Sequence, residues 1–516
     1  MKTCIVSHVI AAVAAAAALA GCAAGPDFHR PEAPGPKALS AVTPPATVIA
    51  VTGEGGGEQR LVQGGKIPEQ WWRLFHSEAL DRVIRQALLE SPTVEAASAR
   101  VRQAQENYRS RSSAIRYPKV DAKLSVNRQQ ISGASFGETG NFVLTFFDAT
   151  LNASYSLDLA GSGRRELEGL AAQINYQRFQ LEGAQLTLAA NIVAAAVNEA
   201  SLRGRIAETQ SLIDLQQRQL DLVDEQVRLG AAALPDLLAQ KSQLAQLVAT
   251  LSPLEKELDL SRHLLAVLAG RFPGDPDLPH FTVDDLQLPA ELPVSLPSDL
   301  VRQRPDIRAS EELLHAASAD VGVATANLYP QLTLTGSFGS EAIKLGELFT
   351  AGTGIWSIGA GLLQPVFHGD ELTAKRRAAK EAYDAALAQY KETVLQGFQN
   401  VADALHSLSR DAATLQALIA AEAAARDSLE ASREQFQVGM ASYLTLLNAE
   451  RQYQDARLAL VPARVARLSD SAQLLQALGG GWWNREQEKG AAASGTESGK
   501  GTGSGKTNDS GKANPP

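Results

Sequence analysis

VLQGFQNVADALHSLSRDAATLQALI, residues 394–419, places apolar side chains at Val394, Phe398, Val401, Leu405, Leu408, Ala412, Leu415 and Ile419. The steps alternate four and three, a 3.5-residue seam that predicts helices packed as a coiled coil. Outward from this stretch, Asp370 to Gln437 holds no proline, a single glycine (Gly397) and mostly good helix formers. At 1.5 Å per residue such a rod is about 100 Å long, beyond the diameter of a globular domain. The seam is too narrow for a rod buried on all sides, so the wall of a tube or a long bundle suits it better.

An earlier stretch follows the same programme. Gly161-Ser162-Gly163 opens a proline-free helix to about Leu229, Gly230 and Pro235 make a turn, and a return helix covers about Asp236–Ala269. Gly369 answers Gly161, Gly439 answers Gly230 and Pro462 answers Pro253. Upstream, Arg304-Pro305-Asp306 answers Ser91-Pro92-Thr93, and Tyr329-Pro330 answers Tyr117-Pro118. Offsets that stay near 210 residues over half the chain are two tandem repeats.

Before each rod the period changes to two. Val120, Ala122, Leu124 and Val126 alternate with polar neighbours, and so do Phe147, Ala149, Leu151, Ala153, Tyr155 and Leu157. Leu332, Leu334 and Phe338 begin a third strand. A fourth lies within 353–367, where Trp356, Ile358, Ala360 and Leu362 alternate with Ser357, Gly359 and Gly361 in a phase the sequence leaves open. The first two strands each have one wet and one apolar face, as either a membrane strand or a sandwich strand would. No stretch after the amino terminus reaches 18 apolar residues, so any later membrane crossing must use strands. Four strands in a bilayer cannot remain an open sheet, so two, three or four copies must close one barrel.

Composition limits what else the chain can be. It has 516 residues, 5% of them aromatic, and a net charge of −9, which argues against nucleic acid as a partner. The eight histidines are scattered, with no HExxH, Gly-x-Ser-x-Gly or Walker pattern, so no catalytic site is expected. Met1 and Met440 are the only methionines, which leaves no soft-ligand cluster; no metal or cofactor is expected either. The organisation read from the sequence is a signal at 1–21, an extended and largely unpacked arm at 22–65 and a first repeat at 66–270. Within that repeat lie a hairpin near 118–159 and a long helix at 163–229. A Pro-rich connector at 271–297 leads to a second repeat at 298–480, with a hairpin near 330–367 and a long helix at 370–437, and 481–516 reads as a disordered tail.

Lys2 and the apolar run Val9–Ala20 make a signal too short to span a bilayer. It ends in LAGC at 19–22, which resembles a bacterial lipobox; the plainer alternative is an ordinary signal with an incidental cysteine. The lipobox resemblance implies N-acyl and diacylglycerol lipid on Cys22, and Ala23 in place of aspartate implies sorting to the outer membrane. Cys4 would leave with the signal.

LAGC, Trp71-Trp72, LPSDLVRQRPDIRASE at 296–311, NLYPQLTLTGSFG at 327–339, and the paired segments RLGAAALPDLL (228–238) and QVGMASYLTLLNAE (437–450) together resemble the outer membrane efflux proteins. The likeness is greatest to their NodT-type lipoprotein branch and covers about residues 66–480. It implies a mainly α fold with a membrane β-barrel: a homotrimer whose four strands per chain build a 12-stranded barrel continuous with an α-helical tunnel. It also implies a lipid-anchored outer-membrane exit duct for small molecules, served by a periplasmic adaptor protein and an inner-membrane resistance-type pump. Two rivals remain at this point, the duct of a type I protein-secretion system and a poreless coiled-coil lipoprotein.

The turns after the rods are the candidate site. Arg228, Leu229 and Gly230, with Val438 and Gly439, end the long helices, where glycine serves as a left-handed stop. Turn chemistry alone explains part of this signal; the resemblance adds contact with the adaptor. It also implies that Asp236, Thr445 and Asn448 line a periplasmic aperture. Asp236 could equally cap a helix, and the neutral Thr445 and Asn448 make a second dense acidic ring doubtful.

Overall fold

The computed structural model describes residues 23–32, 47–48, 57–132, 134, 137, 139–294 and 297–485. The signal at 1–21, Cys22 and the tail from 486 lie outside the described residues. The chain divides into two units: Met1–Ala33 with Glu95–Leu181 and Pro305–Leu395, and Pro34–Val94 with Glu182–Arg304 and Gln396–Pro516.

Eight helices occur among the described residues: α1 Glu78–Glu90, α2 Pro92–Arg116, α3 Ser162–Arg228, α4 Leu234–Leu268, α5 Pro297–Gln303, α6 Pro305–Ala326, α7 Glu371–Gln437 and α8 Tyr443–Ala477. The two rods, α3 and α7, have 67 residues each, and the return helices α4 and α8 have 35 each. Each carries its proline in the interior, Pro253 in α4 and Pro462 in α8. Ser162 and Glu371, Arg228 and Gln437, Leu234 and Tyr443, and Leu268 and Ala477 are all 209 residues apart. The repeat is exact in its rods and return helices.

In the first unit, β3 (Lys119–Ser132), β4 (Asn141–Leu157), β6 (Gln331–Ala342) and β7 (Gly354–Leu363) form an antiparallel sheet in the order β3-β4-β6-β7. The register settles the open phase of the fourth strand. Phe338 lies opposite Leu151 and Trp356, Gly336 opposite Ala153 and Ile358, and Leu332 opposite Leu157 and Leu362. Paired residues share a face, so Trp356, Ile358 and Leu362 continue the apolar face. Asn152, Ser337 and Ser357 continue the polar one, and Ser337 and Ser357 join hydroxyls across the strands at 2.8 Å. Val120, Leu124, Leu151, Phe338, Trp356 and Ile358 are all exposed on this sheet. Burying one such side chain is worth about 1.5–3 kcal/mol, so a face of this kind calls for an apolar surrounding. Among the described residues no helix is long and apolar enough to cross a membrane.

The seam begins with Val394 in the first unit and continues from Phe398 in the second. Of the eight seam residues, Val394, Val401, Leu405, Leu408, Ala412 and Leu415 are buried, and Phe398 and Ile419 are half-buried. Leu415 packs with Leu460 of α8, and Leu429 of α7 with Leu446 and Ala449 of α8. A three-stranded sheet, β1 (Thr47–Val48), β2 (Gln59–Gln63) and β5 (Glu291–Val294), pairs β2 with β5 in parallel, from Arg60 opposite Glu291 to Gln63 opposite Val294.

Two sequence expectations need correction here. The arm at 22–65 is not largely unpacked where it is described. The fully buried Gln59 amide donates to the Pro289 carbonyl and Ser471 hydroxyl, both at 3.0 Å, and accepts from Arg467 at 3.0 Å. Order also runs past 480, where the tail was expected to begin. Trp482–Asn484 forms a 3-10 turn, its Trp482 indole donates to the Gln303 carbonyl at 2.7 Å, and Arg485 grips Glu182 with two bonds of 3.0 and 2.9 Å. In both cases tertiary partners distant in sequence order a segment whose local composition promises little.

Candidate functional site

The rods end in the same hydrogen-bonded turn. After α3, the Gly230 N–H donates to Val227 O at 3.0 Å and Ala231 N–H to Gln226 O at 2.8 Å. After α7, Gly439 donates to Phe436 O at 3.0 Å and Met440 to Gln435 O at 2.8 Å. This pair of bonds is a Schellman closure, and it needs a left-handed residue at the glycine position. Gly230 has φ 75° and Gly439 φ 76°. The surfaces of the turns are apolar and uncovered: Leu229, Leu234 and Leu238 in the first, Val438, Met440 and Leu444 in the second. Arg228 is spoken for locally by Glu225 at 2.8 Å.

Asp236 and Thr445 occupy the same place in the two repeats, the third residue of α4 and of α8. The Asp236 carboxylate accepts from the Ala233 N–H at 3.3 Å, which satisfies one of the orphan donors of the helix start. Thr445 uses the reverse arrangement: its N–H donates to the Ser442 side chain at 3.2 Å, and the two hydroxyls meet at 2.9 Å. Asn448 lies on the exposed surface of α8, one turn further on.

Below the turns lies a polar layer that sequence reading missed. Gln216 of α3, Gln240 of α4 and Glu450 of α8 are all at most 3% exposed. Gln216 donates to Gln240 and accepts from Gln454 at 3.0 Å, while Gln219 donates to one oxygen of Glu450. The other Glu450 oxygen is buried without a hydrogen-bond partner. Burial pushes the Glu450 carboxyl above its ordinary value, against the lowering effect of the Gln219 bond and of Arg433. Tyr443, at the head of α8, is pushed up to about 12 by burial, with Glu450 and Asp236 adding negative charge nearby. Steps of four from Leu446 to Glu450 to Gln454 put these side chains on the packed face of α8, a pattern that a seam reading of this helix would have caught. Among the described residues no group of His, Cys, Asp or Glu is arranged to hold a metal ion.

Matched repeats, a sheet with an exposed apolar face and 67-residue rods ending in glycine turns meet an independent finding. The sequence profile described as outer membrane efflux protein matches residues 83–271 and 296–480, one block per repeat. The chain belongs to the outer membrane efflux protein family. Among its relatives, the toluene efflux pump outer membrane protein TtgC of Pseudomonas putida is 28% identical over 482 residues, which is 92% of this chain and 96% of that one. The pyoverdine export outer membrane protein OpmQ of Pseudomonas aeruginosa is 30% identical over 423 residues, 81% of this chain and 88% of that one. The solved outer-membrane channel OprN superposes with a TM-score of 0.79 at 27% identity, over 89% of this chain and 100% of that one. The mainly helical fold with strands in two tandem repeats is therefore that of outer membrane efflux proteins, and the chain is an outer-membrane efflux channel. Its family is one of outer-membrane efflux ducts.

Proposed function

We propose that this protein is the exit duct of a tripartite pump, a homotrimer whose 12 strands close one barrel in the outer membrane. The observation that carries the reading is the four-stranded sheet with β3 and β7 as unpaired edges and an exposed apolar face. Closing it removes both edges, which an apolar bilayer core requires. A signal at 1–21 is removed and Cys22 takes the lipid, so the duct is anchored as well as inserted.

At the other end of each rod, the uncovered apolar turns at Arg228, Leu229, Gly230, Val438 and Gly439 suit a periplasmic adaptor protein, which joins the duct to an inner-membrane resistance-type pump. Asp236, Thr445 and Asn448 line the aperture, with Asp236 both capping α4 and presenting its charge there; an acidic lining favours cations. No covalent chemistry occurs. Small molecules such as drugs pass through water, and the pump sets which ones. A deletion strain challenged with a panel of drugs, dyes and metals tests this directly. Increased susceptibility to at least one class, restored by the cloned gene, is the expected outcome; an unchanged profile across the panel refutes the reading.

A further inference from the structure

The segment that follows Cys22, Ala23-Ala-Gly-Pro-Asp-Phe-His-Arg30, is described and packed, although its composition promises a loose linker. It touches both repeats of the first unit. In the first repeat, the Ala24 N–H donates to the Ala160 carbonyl at 2.9 Å, at the passage from β4 to α3. The Arg165 side chain, only 6% exposed, then gathers the segment: its guanidinium donates to the carbonyls of Ala24 at 3.3 Å and Gly25 at 3.4 Å, and to the Asp27 carboxylate at 2.6 Å. Glu168 holds the same guanidinium from its own helix at 2.8 Å.

In the second repeat the partners are on α6. Phe28 stacks on His315 with ring centroids 4.3 Å apart and planes 13° from parallel, and Arg30 pairs with the buried Glu311. Three glycines mark how closely the pieces approach. A Cβ on Gly25 would fall 2.6 Å from the Gly322 backbone, one on Gly161 would fall 2.6 Å from Ala23, and one on Gly322 would strike the Arg165 stem at 2.8 Å. No ordinary side chain fits at those positions without displacement.

We propose that residues 24–30 are a clasp, with Arg165 as its keystone, that fastens the strand–helix passage of the first repeat to α6 of the second and thereby holds the four strands ready for barrel closure. Built this way, the clasp also fixes where a lipid on Cys22 enters the membrane, beside the foot of β4. That last clause rests on the lipid reading above; the clasp itself does not. The division of labour is specific: the acyl chains secure the chain to the bilayer, and the clasp organises the sheet. A buried guanidinium with four acceptors suits this role, since its charge-assisted bonds are directional and fail together when it is removed.

The test uses the full chain with its own signal, as Arg165→Met, Phe28→Ala and Phe28→Tyr. Three quantities are read in outer-membrane fractions: incorporated radiolabelled palmitate, protection of residues 119–157 from trypsin, and helical content by circular dichroism. Arg165→Met and Phe28→Ala are expected to take up palmitate as the parent does, keep its helical signal, and lose protection of the hairpin by roughly tenfold or more, since one removes the charge-assisted bonds of the guanidinium and the other the aromatic stack. Phe28→Tyr retains the stack and should match the parent. Hairpin protection equal to the parent in both disruptive variants overturns the clasp, and so does loss of helical signal in step with protection, which would make Arg165 a general folding residue. Absence of palmitate from the parent itself would sink the lipid reading while leaving the protection comparison intact.

Discussion

Replacing Gly439 with valine isolates the glycine turn as a cause. The residue sits at φ 76°, and a Cβ built there meets nothing within 4 Å. Steric clash with the surroundings is therefore absent, and the whole cost is backbone strain. A left-handed conformation costs an L-residue about 1–2 kcal/mol, and β-branching adds to that because its χ1 freedom is already restricted. Strain of this size is relieved by rearranging the turn. The bonds at stake are local, Gly439 N–H to Phe436 O and Met440 N–H to Gln435 O. The nearest packed residue, Phe436, sits against Leu429, Leu446 and Ala449, and all four lie in the helices rather than the turn. The expected result is an oligomer that melts within a few degrees of the parent on heated gels, with strongly impaired complementation of a deletion strain. Gly439→Asn, which tolerates the left-handed region, should complement. Loss of the oligomer in Gly439→Val, or full complementation by it, would refute the assignment of function to the turn.

Two further predictions follow from the polar layer and the sheet. The Glu450 carboxyl is raised above its ordinary 4.5 by burial, so the folded state prefers the protonated form: its stabilising effect is complete below about pH 4.5 and is lost as pH rises through the raised folded value. Glu450→Gln should flatten that part of the dependence of melting temperature on pH between 4 and 8; an unaltered slope would show that the layer does not titrate. On the sheet, Ile358→Arg places a charge on the apolar face and should cost about 2–4 kcal/mol if the residue meets lipid near the bilayer midplane. It should sharply reduce the inserted fraction in membrane flotation, whereas Ser357→Arg on the polar face should not; equal effects would reverse the facing of the sheet.

How much of this was legible in the sequence depends on the range of the interactions concerned. The rods were, because an apolar seam is a local pattern; their ends fall within a residue or so of the expected 163–229 and 370–437. Gly230 and Gly439 were legible as stops because a left-handed residue after a long helix is a local demand. The phase of β7 was not, since Gly359 and Gly361 carry no side chain to mark a face, and only pairing with β6 assigns one. The arm was misread for a similar reason. Asp27, Phe28 and Arg30 find their partners in Arg165, His315 and Glu311, more than a hundred residues away, where no period can announce them. Asp236 was ambiguous between cap and aperture, and its bond to the Ala233 N–H supports the capping half.

Conductance in planar lipid bilayers tests the central claim most directly. The purified full chain, reconstituted as isolated from the outer membrane, is expected to give discrete, long-lived steps, with cations favoured over anions. An oligomer that inserts yet leaves the bilayer insulating at every applied voltage would contradict the account and return the protein to the class of poreless coiled-coil lipoproteins.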